Sequence, residues 1–333
     1  MESPLRLAIV GASSLAGKEL KQVLADVFPQ AELVLLDAEE VAGQLTEAGG
    51  EATFIQKIAE ESFEGARIVF FAGSRAFAAQ EWTAARKAGA TVIDLTGSLA
   101  VVPAAMVWIP ALDDVLPPPR PAVGHLFWLP SVPAMIAASL AAAFQDFDPA
   151  RIAVTFLRPV ADRGQGAIDE LEKQTVGLLS FQPVGTEMFG EQVAFNLMSR
   201  YGESSAEKLS DVRAAVSREV AAYLAGRLPV PAVQLIQAPV FYSVAFSAFA
   251  ELAAPRPQEQ IEAALRAVRW RVAAASDAPP TNVSMAGESE VAVGQVEPDV
   301  NAPAGYWLWG AADHLRLSAA AAAEAARRLL LRS

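Results

Sequence analysis

The residues best suited by type and spacing to hold a ligand form the turn Gly11-Ala12-Ser13-Ser14-Leu15-Ala16-Gly17, between an apolar run and a helical pattern. Backbone amides at a helix start, flanked by small residues, can cradle a pyrophosphate. Gly11, Ser13, Ser14, Leu15, Ala16 and Gly17 are therefore the candidate cofactor contacts. Ser14 occupies the middle position of the usual three-glycine pattern, where a side chain limits how closely a phosphate approaches. The next apolar run ends in Asp37-Ala38-Glu39-Glu40. An acidic group there accepts hydrogen bonds from a ribose and repels a 2′-phosphate, which favours NAD over NADP as a cofactor. A ligand-free glycine turn and solvated loop carboxylates are the alternative readings.

Other chemistry is sparse. The chain has no cysteine, which excludes disulfides, thiolate metal sites and thiol nucleophiles. It has two histidines, His125 in a buried-looking run and His314 beside Asp313, and both read as structural. No metal site is expected. The net charge of -12 argues against nucleic acid and anionic membrane surfaces, which attract clustered Lys and Arg. Residues Met1 to Arg6 lack a signal-peptide core, so a cytoplasmic location is expected. Two stretches, Ala122 to Phe144 and Leu228 to Ala250, carry no Asp, Glu, Lys or Arg. Prolines 130 and 133 interrupt the first and prolines 229, 231 and 239 the second, so both read as buried core rather than membrane spans.

The elements that must position these residues follow from hydrophobic patterning. Strands are expected over Arg6–Val10, Glu32–Leu36, Arg67–Phe71 and Thr91–Ile93, with helices over Ala16–Phe28 and Ala76–Lys87. Short apolar strands alternating with helices specify a parallel sheet, here a nucleotide-binding domain. Val102 to Pro121 is a proline-rich irregular connection. Helices are then expected over Val132–Phe144, Ala167–Leu179, Ala206–Leu224, Gln258–Trp270 and Ser318–Leu331. Strands are expected over Arg151–Leu157 and Val233–Ala248, giving an α+β second domain with antiparallel strands.

Ordered anchors run along the whole chain: Ile9-Val10-Gly11-Ala12, Phe71-Ala72-Gly73, Val92-Ile93-Asp94, Glu170-Leu171-Glu172-Lys173-Gln174-Thr175, Ala194-Phe195-Asn196 and Trp309-Gly310-Ala311-Ala312-Asp313-His314-Leu315-Arg316. In this order and spacing the chain resembles aspartate-semialdehyde dehydrogenases. The resemblance implies a Rossmann-like domain over 1–129, completed by 312–333, a dimerisation domain over 130–311, and a homodimer. It adds Gly73 to the cofactor contacts. It also implies a cysteine that forms a thiohemiacetal with an aldehyde, a histidine base, hydride transfer to NADP and release of the acyl group to phosphate.

The chain departs from that chemistry. Pro130-Ser131-Val132-Pro133 puts Val132 at the cysteine position, and Ser131 beside it reads as a helix cap. Val244 stands at the histidine position and Gln237 where an arginine belongs. Arg158 aligns with a substrate-orienting glutamine. Leu95, Ala100 and Ala322 replace an asparagine, a phosphate-binding arginine and a second asparagine. The leading expectation is therefore a catalytically silent relative that binds a nucleotide or small metabolite. A second is an NAD(P)-dependent oxidoreductase acting on an aldehyde or oxo group in amino-acid biosynthesis, with Asp94, Glu219 or Tyr242 as base. A third is a partner protein whose segment Pro239–Phe249 supplies an apolar interface.

Overall fold

The first sheet is built from strands apolar on both faces, the pattern of a parallel sheet covered on both sides. A computed structural model describes residues 5–48, 51–119, 124–274 and 276–331. Residues 1–4 of the leader reading and the chain around Pro121 and Ala122 lie outside these. The chain divides into two compact units, one of residues 1–113, 118–131 and 315–333, the other of residues 114–117 and 132–314.

In the first unit the strands are β1 (Arg6–Val10), β2 (Glu32–Asp37), β5 (Gln56–Lys57), β6 (Ile68–Phe71), β7 (Thr91–Asp94), β8 (Met106–Val107) and β9 (Leu126–Trp128), preceded in part by a hairpin of β3 (Leu45–Ala48) and β4 (Glu51–Phe54). The sheet order is β5-β2-β1-β6-β7-β9-β8, and neighbours are parallel throughout. Leu7, Ala8 and Ile9 are fully buried at its centre. Helices α1 (Leu15–Val27) and α2 (Arg75–Lys87) each begin on a serine cap: Ser14 accepts from Gly17 N and Ser74 from Ala76 N. The short hairpin escapes sequence patterning because its strands carry no buried stripe; Leu45 and Phe54 are exposed.

The second unit holds helices α3 (Val132–Ala143), α4 (Gln165–Leu179), α5 (Leu209–Leu224) and α6 (Gln258–Ala267). Its strands are β10 (Pro149–Arg158), β11 (Ala232–Gln237), β12 (Val244–Leu252), β13 (Arg271–Val272), β14 (Val291–Val293), β15 (Glu297–Pro298) and β16 (Gly305–Ala312). The order is β11-β10-β12-β16-β14-β13, with β15 on β16. Every residue of α3 is buried, as expected for a charge-free run. Among the described residues no helix is long and apolar enough to cross a membrane.

Two expectations are corrected here. The sheet is mixed, since β10–β11 and β13–β14 are parallel. The single strand expected over Val233–Ala248 is two strands flanking β10 on opposite sides. Pro239, which lacks a donor, and Ser243, at φ 63, lie in the crossing between them. Gly310 of β16 faces Phe246 of β12, and a Cβ there would sit 2.3 Å from the Phe246 ring. That contact gives the Gly310 anchor a packing cause. The last helix, α7 (His314–Leu330), begins ahead of the expected Ser318. Within the first unit it is tied by Arg316 to Glu19 (2.9 Å) and by Arg328 to Asp113 (2.6 Å).

The anchors on α4 also have a structural cause. Gln174 Oε1 accepts from the amides of Val193 (2.7 Å) and Ala194 (3.0 Å), and its Nε2 donates to Gly185 O (2.7 Å). Glu170 accepts from Met188 N (2.6 Å) and Phe189 N (3.3 Å). Two side chains one turn apart thus replace the secondary-structure partners that the 185–194 loop lacks. Gln174→Ala orphans two buried amides and should destabilise the protein by about 2 kcal/mol. Hydrogen exchange at Val193 and Ala194 should accelerate well ahead of the strands; unchanged protection there would contradict this account.

Candidate functional site

The glycine turn closes on itself through mutual packing. A Cβ on Gly11 would lie 2.4 Å from Gly73 Cα, and one on Gly17 2.1 Å from Gly11 O. The β1–α1 and β6–α2 loops therefore touch backbone to backbone, and the glycines are required with or without a ligand. Ser14 is the cap of α1. Its hydroxyl accepts from Gly17 N (2.9 Å) and lies within reach of the Gly11 and Ala72 carbonyls (2.7 and 2.9 Å), so it folds into the turn. The capping position of a serine before a helical pattern is the signal that identifies this role.

Ser13 N donates to Asp37 Oδ2 (2.8 Å), and Ala38 N donates to Oδ1 (2.8 Å). The buried Asp37 carboxylate thus braces the turn from the end of β2. The first-turn amides of Leu15 and Ala16 have no protein acceptor among the described residues and remain available to an anion. Around the β2 end stand Glu39 and Glu40, and Lys57 is held by Glu39 at 2.7 Å. The charge beside the turn is acidic.

In the second unit three of the departures from dehydrogenase chemistry, Arg158, Gln237 and Val244, fall in one row across the sheet. Strand register pairs Arg158 with Gln237 and Val244 with Ala312. The antiparallel register that pairs Leu157 with Ala245 brings Val244 beside Arg158. Residues paired in register share a face, and all four are buried. The row therefore reads Gln237, Arg158, Val244, Ala312. Val132 begins α3, which packs on β10 and buries this side chain as ordinary core.

Arg158 is the centre of a closed polar network. Its Nε donates to Asp162 Oδ2 (3.0 Å), and its Nη1 donates to Tyr201 OH and to Glu207 Oε2 (2.7 Å each). Tyr201 donates onward to Gln237 Oε1 (2.8 Å), and Gln237 Nε2 donates back to Arg158 O (2.9 Å). Arg163 Nε sits 3.2 Å from Glu207, with its guanidinium 4.8 Å over the Phe189 ring and 4.9 Å over Tyr201. Burial alone would lower the Arg158 pKa, but the Asp162 and Glu207 carboxylates reverse this and hold it above its ordinary value. Burial pushes the Tyr201 phenol up, which keeps it a donor to Gln237.

On the far side of Asp162, His314 Nε2 lies 3.2 Å from Oδ1. The same carboxylate is gripped by Arg158 through its other oxygen. Asp162, Arg163, Tyr201 and Glu207 escape sequence reading; only the Arg158–Asp162 spacing hints at a pair. His314, read from the sequence as structural, has its ring beside this cluster. His125 is placed elsewhere, its Nδ1 3.0 Å from Thr91 Oγ1 at the edge of the first sheet.

Of the alternative bases, Asp94 is fully buried and accepts from Thr96 N (2.8 Å), Thr96 Oγ1 (2.6 Å) and Leu99 N (2.8 Å). Burial raises its pKa, against the pull of those donors. It shapes the turn after β7, with no oxygen facing an open space. Tyr242 is 41% exposed in the β11–β12 crossing, and Glu219 is half-buried on α5. Neither belongs to the network among the described residues. No group of three metal-ligating side chains occurs among them either.

Comparison with known proteins agrees with this architecture. Residues 6–115 match the NAD-binding domain of semialdehyde dehydrogenases, and residues 140–317 match their dimerisation domain. A USG-1 protein homologue of Pseudomonas aeruginosa is 31% identical over 340 residues, covering 100% of this chain and 99% of its own. Aspartate-semialdehyde dehydrogenase 2 of Vibrio cholerae is 26% identical over 345 residues, covering 100% and 99%. A solved probable aspartate-semialdehyde dehydrogenase from P. aeruginosa superposes with a TM-score of 0.86 at 28% identity, over 99% of both chains.

Replacing Arg158 tests the network directly. Arg158→Met leaves Asp162 and Glu207 without their shared cation and should cost about 3 kcal/mol, at the low end for a broken buried pair because Glu207 reaches solvent. Urea unfolding measures this, and a loss below about 0.5 kcal/mol, typical of a surface change, would show that the network does not hold the row together.

Proposed function

Since this chain belongs to the semialdehyde dehydrogenase family yet carries valine at positions 132 and 244, we propose that it is a non-acylating member that binds NAD and a small molecule as a homodimer. The observation that carries this reading is the absence of cysteine from the whole sequence, which holds for any alignment. Covalent acyl transfer needs a nucleophile that can attack a carbonyl and later depart, and valine offers none. The buried Arg158 network stands beside Val244 in the same row, which supports a pocket rebuilt rather than merely damaged.

Within this reading the cofactor contacts are the Leu15 and Ala16 amides, reached past Gly11, Ser13, Ser14, Gly17 and Gly73. NAD is favoured because Asp37, Glu39 and Glu40 surround the end of β2, where a 2′-phosphate would meet like charge. Pairing of two copies uses the open face of the second sheet. Trp307 and Trp309 are 43% and 37% exposed on β16, Phe249 packs against Trp307 in a tilted pair at 4.9 Å between centroids, and Phe241 and Tyr242 lie exposed in the crossing. Large exposed aromatics at this density mark an interface. The nucleotide unit then spans 1–129 with 312–333, and the pairing domain 130–311.

Thermal unfolding with NAD and NADP titrated separately tests the cofactor assignment. NAD should raise the midpoint once its concentration passes its Kd, and NADP should do so less or not at all. Equal shifts would refute the acidic-end argument, and no shift with either would remove the nucleotide from the proposal. Aspartate semialdehyde with phosphate and either cofactor should give no acyl phosphate; turnover above background would overturn the non-acylating reading. Trp309→Glu should convert a dimer to a monomer in light scattering, and an unchanged mass would exclude this face.

A further inference from the structure

Three polar groups gather at one end of the second unit's sheet without aligned partners. Ser243 is fully buried and its Oγ has no hydrogen-bond partner. His314 is 6% exposed, and neither ring nitrogen makes a hydrogen bond, because the 3.2 Å approach of Nε2 to Asp162 is out of line. Arg158 uses Nε and Nη1, leaving Nη2 without an acceptor among the described residues. A buried polar group left without a partner costs about 1–3 kcal/mol, so the Ser243 hydroxyl and the His314 ring call for an occupant, with the Nη2 edge of Arg158 beside them.

The fold draws these groups together. Val244 pairs with Ala312, so Ser243 and His314 extend from adjacent strand ends. One loop ties both ends: Asn282 Nδ2 donates to Ser243 O, and Gly287 N donates to Asp313 Oδ2 (2.8 Å). Asp162 joins His314 to Arg158 from the other side. The charges of Arg158 and Arg163 cancel those of Asp162 and Glu207, so the fixed charges of the cluster sum to zero.

We propose that Ser243, His314 and the Nη2 edge of Arg158 form a binding site for a small monocarboxylate. A planar carboxylate suits a guanidinium edge and supplies acceptors for a hydroxyl and an imidazole N–H. With those fixed charges balanced, a monoanion brings the least excess charge to the Arg158 edge, whereas a phosphate dianion would be repelled by Asp162 and Glu207. The inference rests on the reading that this pocket has left acyl transfer, and it stands apart from NAD binding, which the nucleotide titration tests alone.

The chain's two histidines make the experiment clean. Ring nitrogen resonances of His314 and the exposed His125 are followed by NMR as acetate is added, with phosphate and chloride at matched ionic strength as controls. Acetate should move His314 saturably and leave His125 unmoved. Ser243→Gly keeps the left-handed backbone, since φ is 63, while removing the hydroxyl, and should weaken acetate binding about fivefold. His314→Asn should abolish it. If that variant fails to fold, the wild-type titration and Ser243→Gly decide the matter. Parallel movement of both histidines, an equal response to chloride, a preference for phosphate, or unchanged affinity in Ser243→Gly would each overturn the proposal.

Discussion

A guanidinium enclosed by protein needs counter-charge, and much of the second unit is arranged to supply it to Arg158. Isolating that cation would cost several kcal/mol. Carboxylates arrive from the turn after β10 and from the loop before α5, and a phenol and an amide close the ring. The consequence is geometric as well as energetic. The end of β10, the start of the β11–β12 crossing and the 201–207 loop are bound to one side chain, so none can move alone. A site that must close on a substrate and release it would be poorly served by such a clasp. A site that holds one small ligand in a fixed frame would be well served.

The fold was largely legible because periodicity and punctuation carried it. Buried-on-both-faces strands announced the parallel sheet, and the charge-free run beginning at Val132 announced a core helix. The mixed order of the second sheet was not legible. Alternation over residues 233–248 looks the same whether one strand or two produce it, and only the loss of a donor at Pro239 and the left-handed Ser243 break it. The site divides the same way. Missing chemistry could be read from composition, because a chain without cysteine has none at any position. The chemistry that replaced it could not, since Tyr201 and Glu207 reach Arg158 from 43 and 49 residues away. Side-chain partnerships at that range leave no periodic trace.

The glycine turn shows how a motif can outlast any single reason for it. Its glycines are fixed by contact between two loops, and its serine by the cap of α1. The α4 anchors follow the same logic, since Glu170 and Gln174 serve a loop without strand partners. Family resemblance carried by such residues testifies to architecture, and fold by itself does not carry function. The acidic β2 end and the polar side chains of the row, Arg158 and Gln237, lie outside those anchors.

The neighbourhood of Val244 also constrains what a change at that position could achieve. A histidine placed at that position would stand next to a buried arginine, near the His314 ring, in a space filled by an aliphatic side chain. Installing a working base there would need the surrounding network to change at the same time, several substitutions in concert rather than one. The clasp around Arg158 thus makes acyl-transfer chemistry at this row a property of the whole network rather than of any one residue.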